Sequence, residues 1–239
     1  MTSSLNFVLV PGFWLGGWAW DAVAQHLTAA GHRVTAVTLP GLEPDSERRA
    51  EIGWSEQVAA LRDTVAKAGS GVVLVAHSGA GSVASGVLDA EPDLVSRVVY
   101  VDSGPASDGS VYDAEASPDV IEVPLPPFDE LAAGGASLDG ISDEALAEFR
   151  RRAVPQPGHV TTDRVVLDDL RRRDVPTTLI ACSFPAAMVQ QLAAEGHPMF
   201  AEVAELSDLN YLELSTGHWP MFSRPEELAG LLVEAATGV

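Results

Sequence analysis

Gly71-Val72-Val73-Leu74-Val75-Ala76-His77-Ser78-Gly79-Ala80-Gly81 is the stretch that sets the reading of the chain. Its first six residues carry no polar side chain, the pattern of a strand buried on both faces of a parallel sheet. After His77-Ser78-Gly79 the residues stay small up to Glu91-Pro92, which predicts a close-packed helix. A serine on such a strand-to-helix turn has its Oγ lifted above the sheet, provided the positions two before and two after are small. Here both are alanine, Ala76 and Ala80, where the common pattern has glycine. The strand, turn and helix around Ser78 therefore carry the reading more than the bare motif does. Taken alone, the same serine reads equally as a helix cap.

Outward from this turn, apolar runs alternate with amphipathic stretches. Residues 5–10, 34–39, 97–102, 175–182 and 209–215 read as further strands. Helices are expected over residues 18–30 and 55–67 and at the end of the chain. Gly31 suits the left-handed position after the first, Ser55 can cap the second, and Ser223-Arg224-Pro225-Glu226 has the spacing of a capping box for the last. The alternation predicts an α/β class: a six-stranded, mainly parallel sheet with helices on both faces.

Residues 103–159 break the rhythm, with seven prolines and one convincing helix, over residues 142–152. This is too long for a plain connection. It is expected to be a lid over the carboxyl edge of the sheet, inserted into a core formed by residues 1–102 and 160–239. It holds 11 acidic and 3 basic residues.

Composition narrows the function. The 239 residues include 14 basic and 34 acidic side chains, a formal charge of −20. Such a surface repels phosphate backbones and anionic headgroups, so neither nucleic acid nor a membrane is expected as a partner. Cys182 is the sole cysteine, which excludes an intramolecular disulfide and a thiolate zinc cluster. The histidines lack metal-ligand spacing and no phosphate-binding loop is present, so no metal and no cofactor are expected. Without a targeting segment or an apolar run of roughly 18 residues, a soluble cytoplasmic protein acting on a small molecule is expected. Its oligomeric state is open.

Three segments together resemble a known family. They are Phe7-Val8-Leu9-Val10-Pro11-Gly12-Phe13-Trp14-Leu15-Gly16-Gly17-Trp18-Ala19-Trp20, the turn around Ser78, and Ser215-Thr216-Gly217-His218-Trp219-Pro220-Met221-Phe222 followed by Pro225-Glu226-Glu227-Leu228. The chain resembles the α/β-hydrolase fold, and within it the small esterases related to plant methyl-ester hydrolases and hydroxynitrile lyases. Pro11 replaces the histidine usual in the opening segment.

The resemblance implies a serine nucleophile, Ser78, and a base to take its proton, since a free serine is a weak nucleophile. His218 follows the last expected strand at the same sheet edge, with Gly217 leaving room for its ring, and the order serine then histidine is that of the hydrolases. His77 neighbours Ser78 but is expected to point elsewhere. The family places its acid just after the fifth strand, yet Ser183-Phe184-Pro185-Ala186-Ala187-Met188 contains no carboxylate. Asp102, at the end of the fourth strand, is the substitute. The other reading leaves Asp102 as a turn cap and Ser78 with His218 as a dyad. The backbone N–H groups of Phe13 and Gly79 are the expected oxyanion donors.

Trp14, Leu15, Phe128, Phe184, Met188 and Trp219 are candidate walls for an apolar or aromatic substrate. The arginine runs 150–152 and 171–173 read as solvated faces that balance nearby carboxylates, and Cys182 as packing. The expected activity is hydrolysis of a neutral carboxylic ester, thioester or lactone through an acyl-enzyme. Two alternatives stand beside it. A hydroxynitrile-lyase-like reaction is disfavoured because Trp219, not lysine, follows His218; the other is a non-hydrolytic binding or cofactor-free member of the fold.

Overall fold

A computed structural model describes residues 4–238 of the chain. The strands are β1 Asn6–Val10, β2 Arg33–Ala36, β3 Val72–His77, β4 Val95–Val101, β5 Glu122–Val123, β6 Gln156–Pro157, β7 Thr177–Ala181 and β8 Leu209–Glu213. The helices are α1 Asp21–Ala29, α2 Trp54–Ala68, α3 Ala80–Ala90, α4 Phe128–Ala133, α5 Asp143–Arg152, α6 Gly158–Thr162, α7 Ala186–Ala194, α8 Pro220–Ser223 and α9 Pro225–Thr237.

Six strands form one sheet in the order β2-β1-β3-β4-β7-β8, with every pairing parallel. The order runs outward from β1 in one direction and from β3 in the other. The carboxyl ends of β1 and β3 therefore flank the crevice where connections diverge, the usual ligand position in open α/β sheets.

Alternate strand residues supply two cores. Val8, Val10, Leu74, Ala76, Val98 and Tyr100 meet Leu61 and Val65 of α2 and Val83 and Val87 of α3 on one face. Phe7, Leu9, Val73, Val75, Val99 and Val101 meet Val23 and Leu27 of α1 and Leu228 and Leu232 of α9 on the other. Burial on both sides explains why β3 is apolar at successive positions and shows no alternation.

Three local expectations change. The strand expected over residues 34–39 is Arg33–Ala36: Val37 N–H still donates to Leu9 O at 2.9 Å, and beyond it Thr38 Oγ1 accepts the Gly17 N–H at 2.9 Å as the chain turns toward Pro40-Gly41. Ser55 does not cap α2: Gly53 takes the cap position, its N–H donating to Glu56 Oε2 at 2.9 Å, while Trp54 N–H donates to Asp163 Oδ2 at 3.0 Å. The capping box at Ser223 is absent because Pro225 opens α9 and makes Arg224 the cap. Ser223 Oγ bonds Thr216 Oγ1 at 2.7 Å instead.

The inserted segment carries α4 and α5, with Ser142 Oγ capping α5 by accepting the Ala145 N–H. Phe149 of α5 is fully buried, its ring 5.3–5.5 Å from those of Phe128, Trp219 and Phe222. This contact fastens the segment to the loop that holds His218. Helix α6 runs across residue 159.

The arginine runs do balance carboxylates, but Arg172 is not on a solvated face. It is 5% exposed and pairs with Glu202 at 3.0 Å and Asp89 at 3.6 Å. Arg150 lies over the Phe128 ring at 4.1 Å.

Candidate active site

Ser78 sits between β3 and α3 with φ +51°, a conformation that non-glycine residues adopt only when their surroundings enforce it. Its N–H donates to Val101 O at 3.3 Å, and its carbonyl accepts from Gly81 N–H at 3.0 Å and Ser103 Oγ at 2.6 Å. These three bonds hold the turn sharply bent at the carboxyl end of the sheet.

His218 reaches Ser78 from the loop after β8. Its Nε2 lies 2.8 Å from Ser78 Oγ and its Nδ1 lies 2.6 Å from Asp102 Oδ2. The ring is set by its backbone, whose N–H donates to Ser137 O at 2.6 Å while Gly217 N–H donates to Asp139 O at 3.1 Å. A Cβ on Gly217 would lie 2.6 Å from Ser137 O and from Asp139 N. The glycine is thus required by the inserted segment passing beneath the loop, whereas the sequence suggested room for the imidazole ring.

Asp102, directly after β4, is the carboxylate that meets the histidine. It is 6% exposed with φ +43°. Oδ1 accepts the N–H groups of Cys182 and Ser183, each at 2.9 Å, and Oδ2 accepts Ser183 Oγ at 2.6 Å as well as His218 Nδ1–H. Burial opposes its ionisation, but the hydrogen bonds from His218 and Ser183 outweigh burial and hold the carboxyl below its ordinary value. An ionised Asp102 fixes the proton on Nδ1 and leaves Nε2 as the acceptor for Ser78 Oγ. The turn-cap reading loses its ground, because all four bonds run to the β7 end and to His218, and none enters the turn after Asp102.

His77 points away from the Ser78 hydroxyl, as expected, but it is not idle. Fully buried, it donates from Nε2 to His218 O at 2.7 Å and accepts the Gly12 N–H at Nδ1, 3.3 Å away. One imidazole thus ties the histidine loop to the loop after β1. Burial first, and the neighbouring His218 second, push its pKa down to about 3.

A Cβ on Gly12 would lie 2.8 Å from that of Ser78, so the β1 loop passes in contact with the serine. Pro11 has no N–H and the Gly12 N–H is engaged by His77, which leaves Phe13 as the next donor. The Phe13 ring packs over Gly79, bringing the two expected oxyanion residues together. Trp14 holds φ +66° between two anchors: its Nε1 donates to Val123 O and its carbonyl accepts the Val154 N–H, both at 3.0 Å.

Two cavities open from Ser78. The larger, about 830 Å³, reaches past Gly79 to Phe184, Val189 and Phe200. The smaller, about 310 Å³, lies among Trp14, His218, Trp219, Leu131 and Pro126. Among the described residues, no lysine or arginine lines either one; Asp113 and Asp163 border the first and Glu130 the second.

Three of the expected walls are corrected. Leu15 is fully buried in the α1 and α9 core, because the loop after β1 turns that side chain under the sheet. Phe128 packs against Phe149 and Arg150 and lines neither cavity. Met188 lies on the outer face of α7, 49% exposed, while its neighbour Val189 faces inward. Sequence reasoning missed Ser183, the anchoring role of His77, and Tyr112, which borders both cavities. Ser183 had a signal, since it stands where the family's acid is expected; Tyr112 had none.

Residues 7–231 match the alpha/beta hydrolase family. Along nearly its whole length the chain is similar to Methylesterase 7 of Arabidopsis thaliana, with 28% identity over 97% of this chain and 96% of that protein. It is also similar to the carbendazim hydrolyzing esterase of Nocardioides sp. (strain SG-4G), 30% identical over 94% and 96%. Among solved structures, a methylesterase from Arabidopsis superposes with a TM-score of 0.78 at 20% identity, covering 98% of this chain and 100% of that one. The chain belongs to the alpha/beta hydrolase family.

Proposed function

We propose that the chain is a serine hydrolase that cleaves a neutral carboxylic ester, thioester or lactone through an acyl-enzyme. The observation that carries this reading is the unbroken hydrogen-bond chain Asp102–His218–Ser78, with Gly79 directly after the serine and Phe13 of the loop after β1 packed against it. Ser78 Oγ attacks the carbonyl carbon as His218 Nε2 takes its proton, and Asp102 stabilises the imidazolium without accepting a proton itself. The carbonyl oxygen, now negative, accepts hydrogen bonds from the Phe13 and Gly79 N–H groups. Collapse breaks the bond to the leaving oxygen or sulfur, which receives the proton from His218. Water then enters by the same route and releases the acid.

His218 lines only the smaller cavity, so the leaving group sits there and the acyl group occupies the larger one. A bulky acyl group with a small alcohol fits these volumes, and the methylesterase name of one relative supports a small alcohol. The carboxylates at both borders and the absence of a lining cation disfavour anionic substrates. Fluorophosphonate labelling at mildly alkaline pH tests the reading: a single adduct on Ser78 is expected, and a native protein without one contradicts it.

A further inference from the structure

Among the described residues, two line both cavities: Ser78, between them by its role, and Tyr112 of the inserted segment. The Tyr112 ring meets the Phe13 ring edge-on, with centroids 4.6 Å apart. The Phe13 ring in turn covers Gly79. Gly79, Phe13 and Tyr112 therefore form a partition that rises outward from the nucleophile, with the larger cavity on one side and the smaller on the other.

Tyr112 is 66% exposed, which sets it apart from a core aromatic. Its backbone is nevertheless held on both sides. Gly109 N–H donates to Val165 O at 2.8 Å, Val165 N–H to Ser110 O at 2.9 Å, and Asp113 N–H to Thr161 O at 2.9 Å. Just beyond, Asp113 Oδ1 accepts the N–H groups of Glu115 and Ala116. An exposed apolar ring on a tethered backbone, standing over a nucleophile, is a wall that substrate meets.

We propose that Tyr112 is a specificity-determining residue that closes the leaving-group cavity against the acyl cavity and thereby limits the length of the alcohol the enzyme accepts. This rests on the hydrolase reading above. A short alcohol fits beside Trp14 and Trp219 without reaching the ring. A chain that outgrows the space beside Trp14 and Trp219 meets the partition, where Tyr112 stands between it and the larger, mainly apolar space. Removing the ring joins the two spaces on the solvent side of Ser78.

The test measures kcat/KM for phenylacetate esters of methanol, butan-1-ol and octan-1-ol on the wild-type chain, Tyr112→Phe, Tyr112→Val and Tyr112→Ala, with the thermal midpoint of each. The wild type is expected to lose activity as the alcohol lengthens. Tyr112→Ala and Tyr112→Val should raise the octyl-to-methyl ratio by about tenfold or more, since each methylene newly buried contributes roughly a factor of four. Tyr112→Phe should keep the wild-type ratio, because the ring and not the hydroxyl forms the wall. An unchanged ratio in whichever of the two truncations folds overturns the proposal, as does a wild type that accepts octyl and methyl esters equally. Absence of turnover on every ester, with no adduct on Ser78, overturns the hydrolase reading itself and the proposal with it.

Discussion

His77 makes a quantitative prediction about stability. Its pKa falls to about 3 in the folded chain because the ring is fully buried and lies beside His218; an unperturbed histidine titrates near 6.5. Between these values the unfolded chain binds a proton that the folded chain refuses. Stability is therefore lost as the pH is lowered through that window, with a slope approaching about 1.4 kcal/mol per pH unit. From about pH 7 to about pH 4.5 this one residue removes roughly 2–3 kcal/mol, a large fraction of the 5–15 kcal/mol typical of a folded domain. His77→Gln removes the titration while keeping a donor for His218 O. The substitution costs about 1–2 kcal/mol at neutral pH through the lost Gly12 contact, so the quantity to read is the pH dependence and not the absolute stability. Urea unfolding of both proteins at the two pH values should show the variant losing about 2–3 kcal/mol less than the wild type on acidification. Equal losses would refute the assignment of a buried, neutral His77.

Other consequences follow from the same geometry. Asp102→Asn should lower kcat by about 10⁴-fold with the fold intact, as loss of the carboxylate does in established triads; activity within a few-fold of wild type in a steady-state ester assay would leave Ser78 and His218 as a dyad. Ser183→Ala removes one of the bonds that hold the Asp102 carboxyl down, so the Asp102 titration should move upward, observable by carbon NMR of labelled aspartate, and the acid limb of the activity profile should move with it if Asp102 must be ionised. Leu15→Ala should destabilise the chain by about 2–5 kcal/mol as a core truncation does, with little change in KM; a large KM effect on a folded variant would return Leu15 to the substrate wall.

The fold was legible where the physics is local. Six apolar runs, the helices between them and the small residues around Ser78 each carry a pattern that backbone geometry enforces, and the parallel sheet follows. Helix starts were less legible, because a cap is decided by which acceptor reaches the first turn: Asp163, 109 positions beyond Trp54, accepts the Trp54 N–H in place of the cap expected of Ser55. Ser78 and His218 could be read from motif and order. Asp102 could be proposed but not separated from a turn cap, since its four hydrogen bonds come from residues 80 or more positions away. The pocket walls were least legible. Whether Leu15, Phe128 or Met188 faces substrate depends on how a loop turns and on what the inserted segment covers, and their residue types suit a core, a surface and a pocket equally.

Rapid-quench mass spectrometry of the wild-type chain and Ser78→Ala with methyl phenylacetate tests the acyl-enzyme at its source. A phenylacetyl mass increment is expected on the peptide that contains Ser78 before steady state, with neither increment nor turnover in Ser78→Ala. Turnover that persists in Ser78→Ala, or acylation at any other residue, would contradict it.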